Sequence, residues 1–242
     1  MPILEVKALS YSIDKHEILS PLSFCLEGGT ITLLCGKNGS GKSMLLKCLK
    51  GLIKQSSGRI ILNGKALKQK ERMRALALVF QDADIATVGQ TVEKDIAFGL
   101  ENLGKEKKEI DSTVDKLIRE FKLEKIRKNH PYTLSGGEKR KLTIAGVIAM
   151  EPEVILLDEP FANLDYPSTL LVLETIKELK ENGHTLLIIS HEVEKMIALS
   201  DHLLILKDGK IEYDGKPECG LSALKENDIY VPPIPFSEMT WL

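Results

Sequence analysis

No run of residues in this 242-residue chain approaches the roughly 18 to 20 consecutive apolar positions that a membrane-spanning helix requires. The densest apolar runs, Val154–Leu157 and Thr185–Ile189, have the length of buried strands. The opening residues Met1-Pro2-Ile3-Leu4-Glu5 lack a basic stretch followed by an apolar one, so no secretory leader is read. The four cysteines, Cys25, Cys35, Cys48 and Cys219, lie far apart without a CxxC pair, which speaks against a metal or redox motif. They read as reduced thiols of a cytosolic protein. An excess of one charge is also missing. Lys and Arg number 33 against 35 Asp and Glu, a formal charge of -2, so the basic surplus of a dedicated nucleic-acid binder is absent. Aromatics make up 5%, too few for a base-stacking platform. What remains, 43% hydrophobic and 28% charged residues, suits one globular domain or one domain carrying an inserted lobe.

Along the chain, residues 3–13, 22–26, 31–35 and 76–80 read as strands. Residues 58–65 read as a hairpin turning at Asn63-Gly64. A helix is expected from Lys42 to about Lys50, closed by Gly51. From about Thr91 to Met150 nearly everything reads helical. Ile110, Val114, Leu117, Ile118 and Phe121 recur there at helical spacing, with Lys and Glu forming a solvated face. Strands then alternate with helices again: strand 154–157, a helix from Pro167 to Asn182, strand 185–189, a helix from Glu192 to Leu199, and two strands meeting at Asp208-Gly209. Alternating units at both ends imply a mostly parallel α/β sheet, and the middle third an inserted helical lobe. The prolines at 217, 232, 233 and 235 give the last stretch the look of an extended tail.

Gly36-Lys37-Asn38-Gly39-Ser40-Gly41-Lys42-Ser43 follows a strand and opens a helix. Glycines at this spacing let successive amides and a helix N-terminus face a phosphate, with Lys42 reaching the outer phosphates and the Ser43 hydroxyl a magnesium ion. The strand Val154-Ile155-Leu156-Leu157 ends in Asp158 and Glu159. Two acids there are costly without a cation; Asp158 suits holding Mg²⁺ and Glu159 orienting or deprotonating a water. Leu134-Ser135-Gly136-Gly137-Glu138 supplies a second glycine-flanked helix start. Ser135 and Glu138 also satisfy a capping box, so a plain helix start stays open on spacing alone.

One Lys-bearing phosphate loop together with this separate Leu-Ser-Gly-Gly segment resembles the ATP-binding cassette family, over roughly residues 3 to 215. The resemblance implies the P-loop (RecA-like) fold with an N-terminal antiparallel β subdomain. It divides the chain into a core of residues 1–80 and 152–215, a helical lobe of 81–151 and a tail of 216–242. It implies ATP and Mg²⁺ as ligands, with Tyr11, Asn38, Gly39, Ser40, Gly41, Lys42, Ser43 and Met44 on the subunit's own nucleotide. Ser43, Gln81 and Asp158 fall at the magnesium, and Gln81, Glu159 and His191 in hydrolysis. Ala162-Asn163-Leu164-Asp165 is similar to the family's D-loop. Ser135, Gly136, Gly137 and Glu138 would close over the nucleotide of a second ATPase subunit, identical or merely similar.

Thr91 to Asn102, and Leu134 to Gly146, are similar to the energy-coupling factor and cobalt or nickel importer ATPases. That resemblance implies a peripheral protein on the cytoplasmic face of the membrane. It would power vitamin or metal uptake through a transmembrane coupling subunit and a substrate-binding membrane subunit. Asp82-Ala83-Asp84 departs from the Asn-Pro-Asp common in those relatives, and the chain is short for a full C-terminal dimerisation module. An ATP switch on DNA or ribosomes is the competing expectation. It is disfavoured by one cassette per chain and by the charge balance, which also argue against a nucleic-acid partner. A degenerate regulator is disfavoured by Lys42, Asp158, Glu159 and His191 occurring together.

Overall fold

The computed structural model describes residues 2–80 and 87–242. Two sheets organise them. The first is antiparallel, built from β1 (Pro2–Ile13), β2 (His16–Glu27), β4 (Ser57–Leu62) and β5 (Lys65–Ala66) in the order β2-β1-β4-β5. Asp14 and Lys15, both at positive φ (46° and 70°), turn the long β1–β2 hairpin in the manner that suits twisted strands.

The second sheet contains β3 (Ile31–Cys35), β6 (Leu76–Val79), β7 (Val154–Asp158), β8 (Leu186–Ile189), β9 (His202–Lys207) and β10 (Lys210–Gly215), in the order β10-β9-β3-β8-β7-β6. All neighbours are parallel except the edge pair β9–β10. The central strands are apolar at almost every position because both faces are covered. Alternation sends Leu33, Cys35, Ile155, Leu157 and Ile188 into one core and Leu34, Leu156, Leu187 and Ile189 into another. The second core also receives the antiparallel sheet and Leu45, Cys48 and Leu49 of α1 (Lys42–Lys50).

On the opposite face lie α3 (Val92–Asn102), α4 (Lys107–Glu120), α5 (Gly136–Ile148) and α6 (Tyr166–Glu181); the short α2 (Gln69–Ala75) precedes β6. The α4 positions read at helical spacing, Ile110, Val114, Leu117 and Ile118, are all buried. Asp95 of α3 accepts bonds from the amides of Val88 and Gly89, each at 2.7 Å, and so pins the chain entering the lobe.

Three expectations are corrected. Residues 121–135 are not continuously helical: Lys122 takes φ 55°, and only single turns form at Glu124–Ile126 and Pro131–Thr133. Residues 192–199 form two separate 3-10 turns, because Met196, at φ -152° and ψ 0°, breaks the helical path. Residues 216–242 are not simply extended. They contain α7 (Leu221–Glu226) and bury Leu224, Ile229, Val231 and Met239 in the core under the helices.

Candidate functional site

Parallel strands end on the same edge, so the segments leaving β3, β7 and β8 converge. After β3, Gly36 has φ 157° and Gly41 φ 103°. A Cβ on Gly36 would sit 2.3 Å from the Leu206 carbonyl oxygen, and one on Gly41 would sit 2.7 Å from Leu19 Cδ2. The loop therefore runs where only glycine fits. No side chain caps the α1 N-terminus and its first turn holds no acid, whereas α3, α5 and α6 are capped by Thr91, Ser135 and Asp165. An uncapped, positively polarised helix end is suited to an anion.

Lys42 Nζ donates to the carbonyls of Gly36 (2.6 Å) and Lys37 (2.9 Å). Burial holds its ammonium below the usual lysine range, although Glu159, Cys35 and Asp158 pull the other way. Asp158 shows the converse. Burial raises its carboxyl, opposed by a hydrogen bond from Ser43 and by Lys42, Lys47 and Arg140. A hydroxyl and a half-buried carboxylate in contact are hard oxygen donors, which fits Mg²⁺ held by one carboxylate plus ligand oxygens. No cluster of three or more His, Cys, Asp or Glu able to cage a metal occurs among the described residues.

Glu159 follows with φ 47°, its amide bonded to the Ile189 carbonyl at 3.1 Å, so the strand stops at the acid. Its Oε2 lies 3.0 Å from His191 Nδ1. Asn38, Gly39, Gly41, Lys42, Ser43 and Met44 share a cleft of about 300 Å³ with Asp158, Glu159 and Ile18. Ser40, beside it, is buried and its carbonyl accepts from the Gly209 amide (3.1 Å). Tyr11 of β1 pairs with Leu19 of β2 and rests half-buried on the core; it is Ile18, on β2, that lines the cleft. Ile18 carries no motif in the sequence that would have singled it out. Gln81 lies outside the described residues.

The Leu134–Glu138 segment stands elsewhere. Ser135 caps α5: Glu138 N donates to its Oγ (3.3 Å), while Ser135 N and Oγ donate to Glu138 Oε2 (2.8 and 2.9 Å). Ser135 and Gly136 are exposed, and Gly137 is buried. A Cβ on Gly137 would approach Ser168 Cα to 2.9 Å, and one on Gly136 would approach Leu164 to the same distance. The tip is thus braced by the loop 162–165 and the start of α6. None of residues 135–138 lines the cleft of their own chain.

A groove of about 420 Å³ lies against α3, α5 and the end of β6, lined mainly by apolar side chains including Phe98, Leu103, Val147 and Met150. No helix among the described residues is long and apolar enough to cross a membrane.

The ABC transporter family profile matches residues 19–162, more than half of the chain. A putative ABC transporter ATP-binding protein of Methanosarcina mazei is 41% identical over 218 residues, 86% of this chain and 37% of that protein. The energy-coupling factor transporter ATP-binding proteins EcfA2 of Methanospirillum hungatei and EcfA of Methanococcus maripaludis are 34% and 35% identical. Those matches cover 91% and 90% of this chain, and 57% and 80% of theirs. The chain therefore spans less than two thirds of the length of two of these three relatives. Among solved structures, cbiO1 from Clostridium perfringens, part of the ABC transporter complex cbiONQ, matches with a TM-score of 0.83 at 30% identity over 96% of both chains. With the fold, the glycine cradle and the paired strand-end acids in place, these matches settle the family: the chain belongs to the ABC transporter ATPases.

Proposed function

We propose that this chain is the ATP-binding and ATP-hydrolysing subunit of an importer of energy-coupling factor type. It would drive uptake of a vitamin or transition-metal micronutrient through partner membrane subunits from the cytoplasmic face. One observation carries the reading: Ser135 and Gly136 are exposed and stand apart from the chain's own phosphate cleft. A capped, glycine-bearing helix tip in that position is built to meet a second subunit's nucleotide.

In this reading Gly39, Gly41 and the α1 N-terminus bind the phosphates, and Lys42 exchanges its two carbonyl partners for phosphate oxygens. Ser43 and Asp158 hold Mg²⁺, which offsets phosphate charge when bound. Glu159 orients or accepts a proton from the attacking water, and His191 steadies Glu159 and the outermost phosphate. Gln81 couples this centre to the lobe. Residues 1–80 and 152–215 act as the ATPase core and 81–151 as the moving lobe. The apolar groove beside Phe98 receives the transmembrane coupling subunit, which in turn carries the substrate-binding one. The relatives named for energy-coupling factor transport and the cbiONQ neighbour support that type of partner.

The test is Glu159→Gln. Light scattering is expected to show an ATP-dependent dimer that persists because hydrolysis is lost, while nucleotide still binds. A Glu159→Gln protein that hydrolyses ATP at the parent rate overturns the reading.

A further inference from the structure

Residues 236–242 return to the reaction edge of the sheet. The Ala198 amide donates to the Met239 carbonyl and the Trp241 amide to the Lys195 carbonyl, both at 3.2 Å. The Trp241 indole lies over Lys195 Nζ, 4.6 Å from ring centroid to nitrogen, and 5.3 Å from the Tyr166 ring at a 47° tilt. Lys195 is 4% exposed. Its ammonium also sits 5.9 Å from the Phe161 ring centroid and 2.6 Å from Glu192 Oε1.

These partners belong to two different loops. Phe161 stands two residues after Glu159, and Tyr166 opens α6 directly after the 162–165 segment. Glu192 adjoins His191. Lys195 thus joins the loop leaving β7 to the loop leaving β8, and the indole closes over it. A lysine ends in a point charge on a flexible four-carbon stem. Buried, it keeps one orientation only while its carboxylate and aromatic faces surround it.

We propose that Trp241 and Lys195 are positioning residues for hydrolysis: the indole fixes the ammonium, the ammonium fixes Glu192, and His191 is thereby held at its 3.0 Å contact with Glu159. This rests on the hydrolytic roles proposed for Glu159 and His191. It adds a function for residues 236–242, which otherwise only cover apolar core.

Trp241→Ala is expected to lower kcat for ATP about tenfold, with the KM for ATP within about twofold, because sub-ångström misplacement acts on the chemical step. Rates are normalised to ATP-binding sites titrated by calorimetry, which removes unfolded protein from the comparison. Trp241→Phe, retaining a π face, is expected to recover at least about half of the rate. Lys195→Met is expected to match Trp241→Ala, and the double variant to be no worse than either alone. Trp241 is the single tryptophan of the chain, so its emission reports docking directly. Acrylamide quenching is expected to rise in Lys195→Met. A kcat within twofold of the parent in Trp241→Ala, independent losses in the double variant, or unchanged quenching in Lys195→Met would each overturn the positioning role. Glu159→Gln, assayed in parallel, separates the two layers. Parent-rate hydrolysis there removes the hydrolytic reading and the positioning role with it. Lost hydrolysis there with an undiminished Trp241→Ala removes the positioning role alone.

Discussion

Glu159 Oε2 and His191 Nδ1 meet at 3.0 Å, although their side chains leave different strands. The register explains the meeting. Asp158 of β7 pairs with Ile189 of β8, so the residues one and two places beyond must face each other across the same edge. The acid is sheltered, with its side chain 12% exposed, while the imidazole is 58% exposed and reaches toward solvent. The roles proposed for them, Glu159 with water and His191 with the outermost phosphate, need this asymmetry.

Lys42 is satisfied by Gly36 and Lys37 and is largely buried. Lys42→Ala is expected to weaken ATP binding by about 10- to 100-fold, the worth of hydrogen bonds from a charged donor. Isothermal calorimetry measures it; an unchanged dissociation constant would show that the amine never contacts phosphate.

Ser135 both caps α5 and forms its exposed tip. Ser135→Asn separates these roles, since asparagine caps as well as serine and its amide can still donate to Glu138 Oε2, but it removes the hydroxyl and puts a bulkier group at the tip. Its melting temperature is expected to stay within about 2 °C of the parent, because exposed caps differ by fractions of a kcal/mol. Hydrolysis is expected to fall at least about tenfold through loss of the hydroxyl donor and crowding of the tip. Retained activity would reduce the serine to a helix cap.

Asp158 carries a carboxyl raised by burial, so its ionised form costs native stability. The sign follows from linkage: the native state holds this proton more tightly than the unfolded chain. The cost is therefore absent where both states are protonated and fully present above the native pKa. Asp158→Asn, without added Mg²⁺ or nucleotide, is expected to melt about 2–4 °C higher at neutral pH and to lose hydrolysis. The thermal advantage is expected to shrink on acidification. A lower melting temperature at neutral pH would show the ionised acid to be stabilising.

Phe98 lines the apolar groove and is 44% exposed. Phe98→Asp places a charge in a surface built for apolar contact, and recovery of the chain with membrane fractions is expected to drop about tenfold. ATP affinity by calorimetry serves as the control for folding. Undiminished membrane recovery would place the partner elsewhere.

The edge that carries the candidate site was legible because the chemistry proposed there needs specific residues at fixed spacing. Gly36, Gly39, Gly41 and Lys42 announce a loop that only one backbone path satisfies, and Asp158-Glu159 announce a strand end. Helix α1 and its Gly51 cap were equally plain, since propensity and capping agree there. Strand order was not legible. That β3 lies between β8 and β9 depends on which faces cover one another, and every one of those strands reads as the same apolar run. Local pattern misled at 192–199, where helical spacing gives way to backbone bonds from Ala198 to Met239 and from Trp241 to Lys195. The prolines of 217–235 misled for a related reason. They set turns, while Leu224, Ile229 and Val231 between them find burial only against distant elements.

The hold that Lys42 keeps on the carbonyls of its own loop has a consequence for turnover. With the role proposed for Lys42, departure of product would leave no stranded cation, because these backbone oxygens are in place to receive it. An arriving nucleotide would then meet a loop whose amine is already held at the mouth of the cleft by a substitute for phosphate.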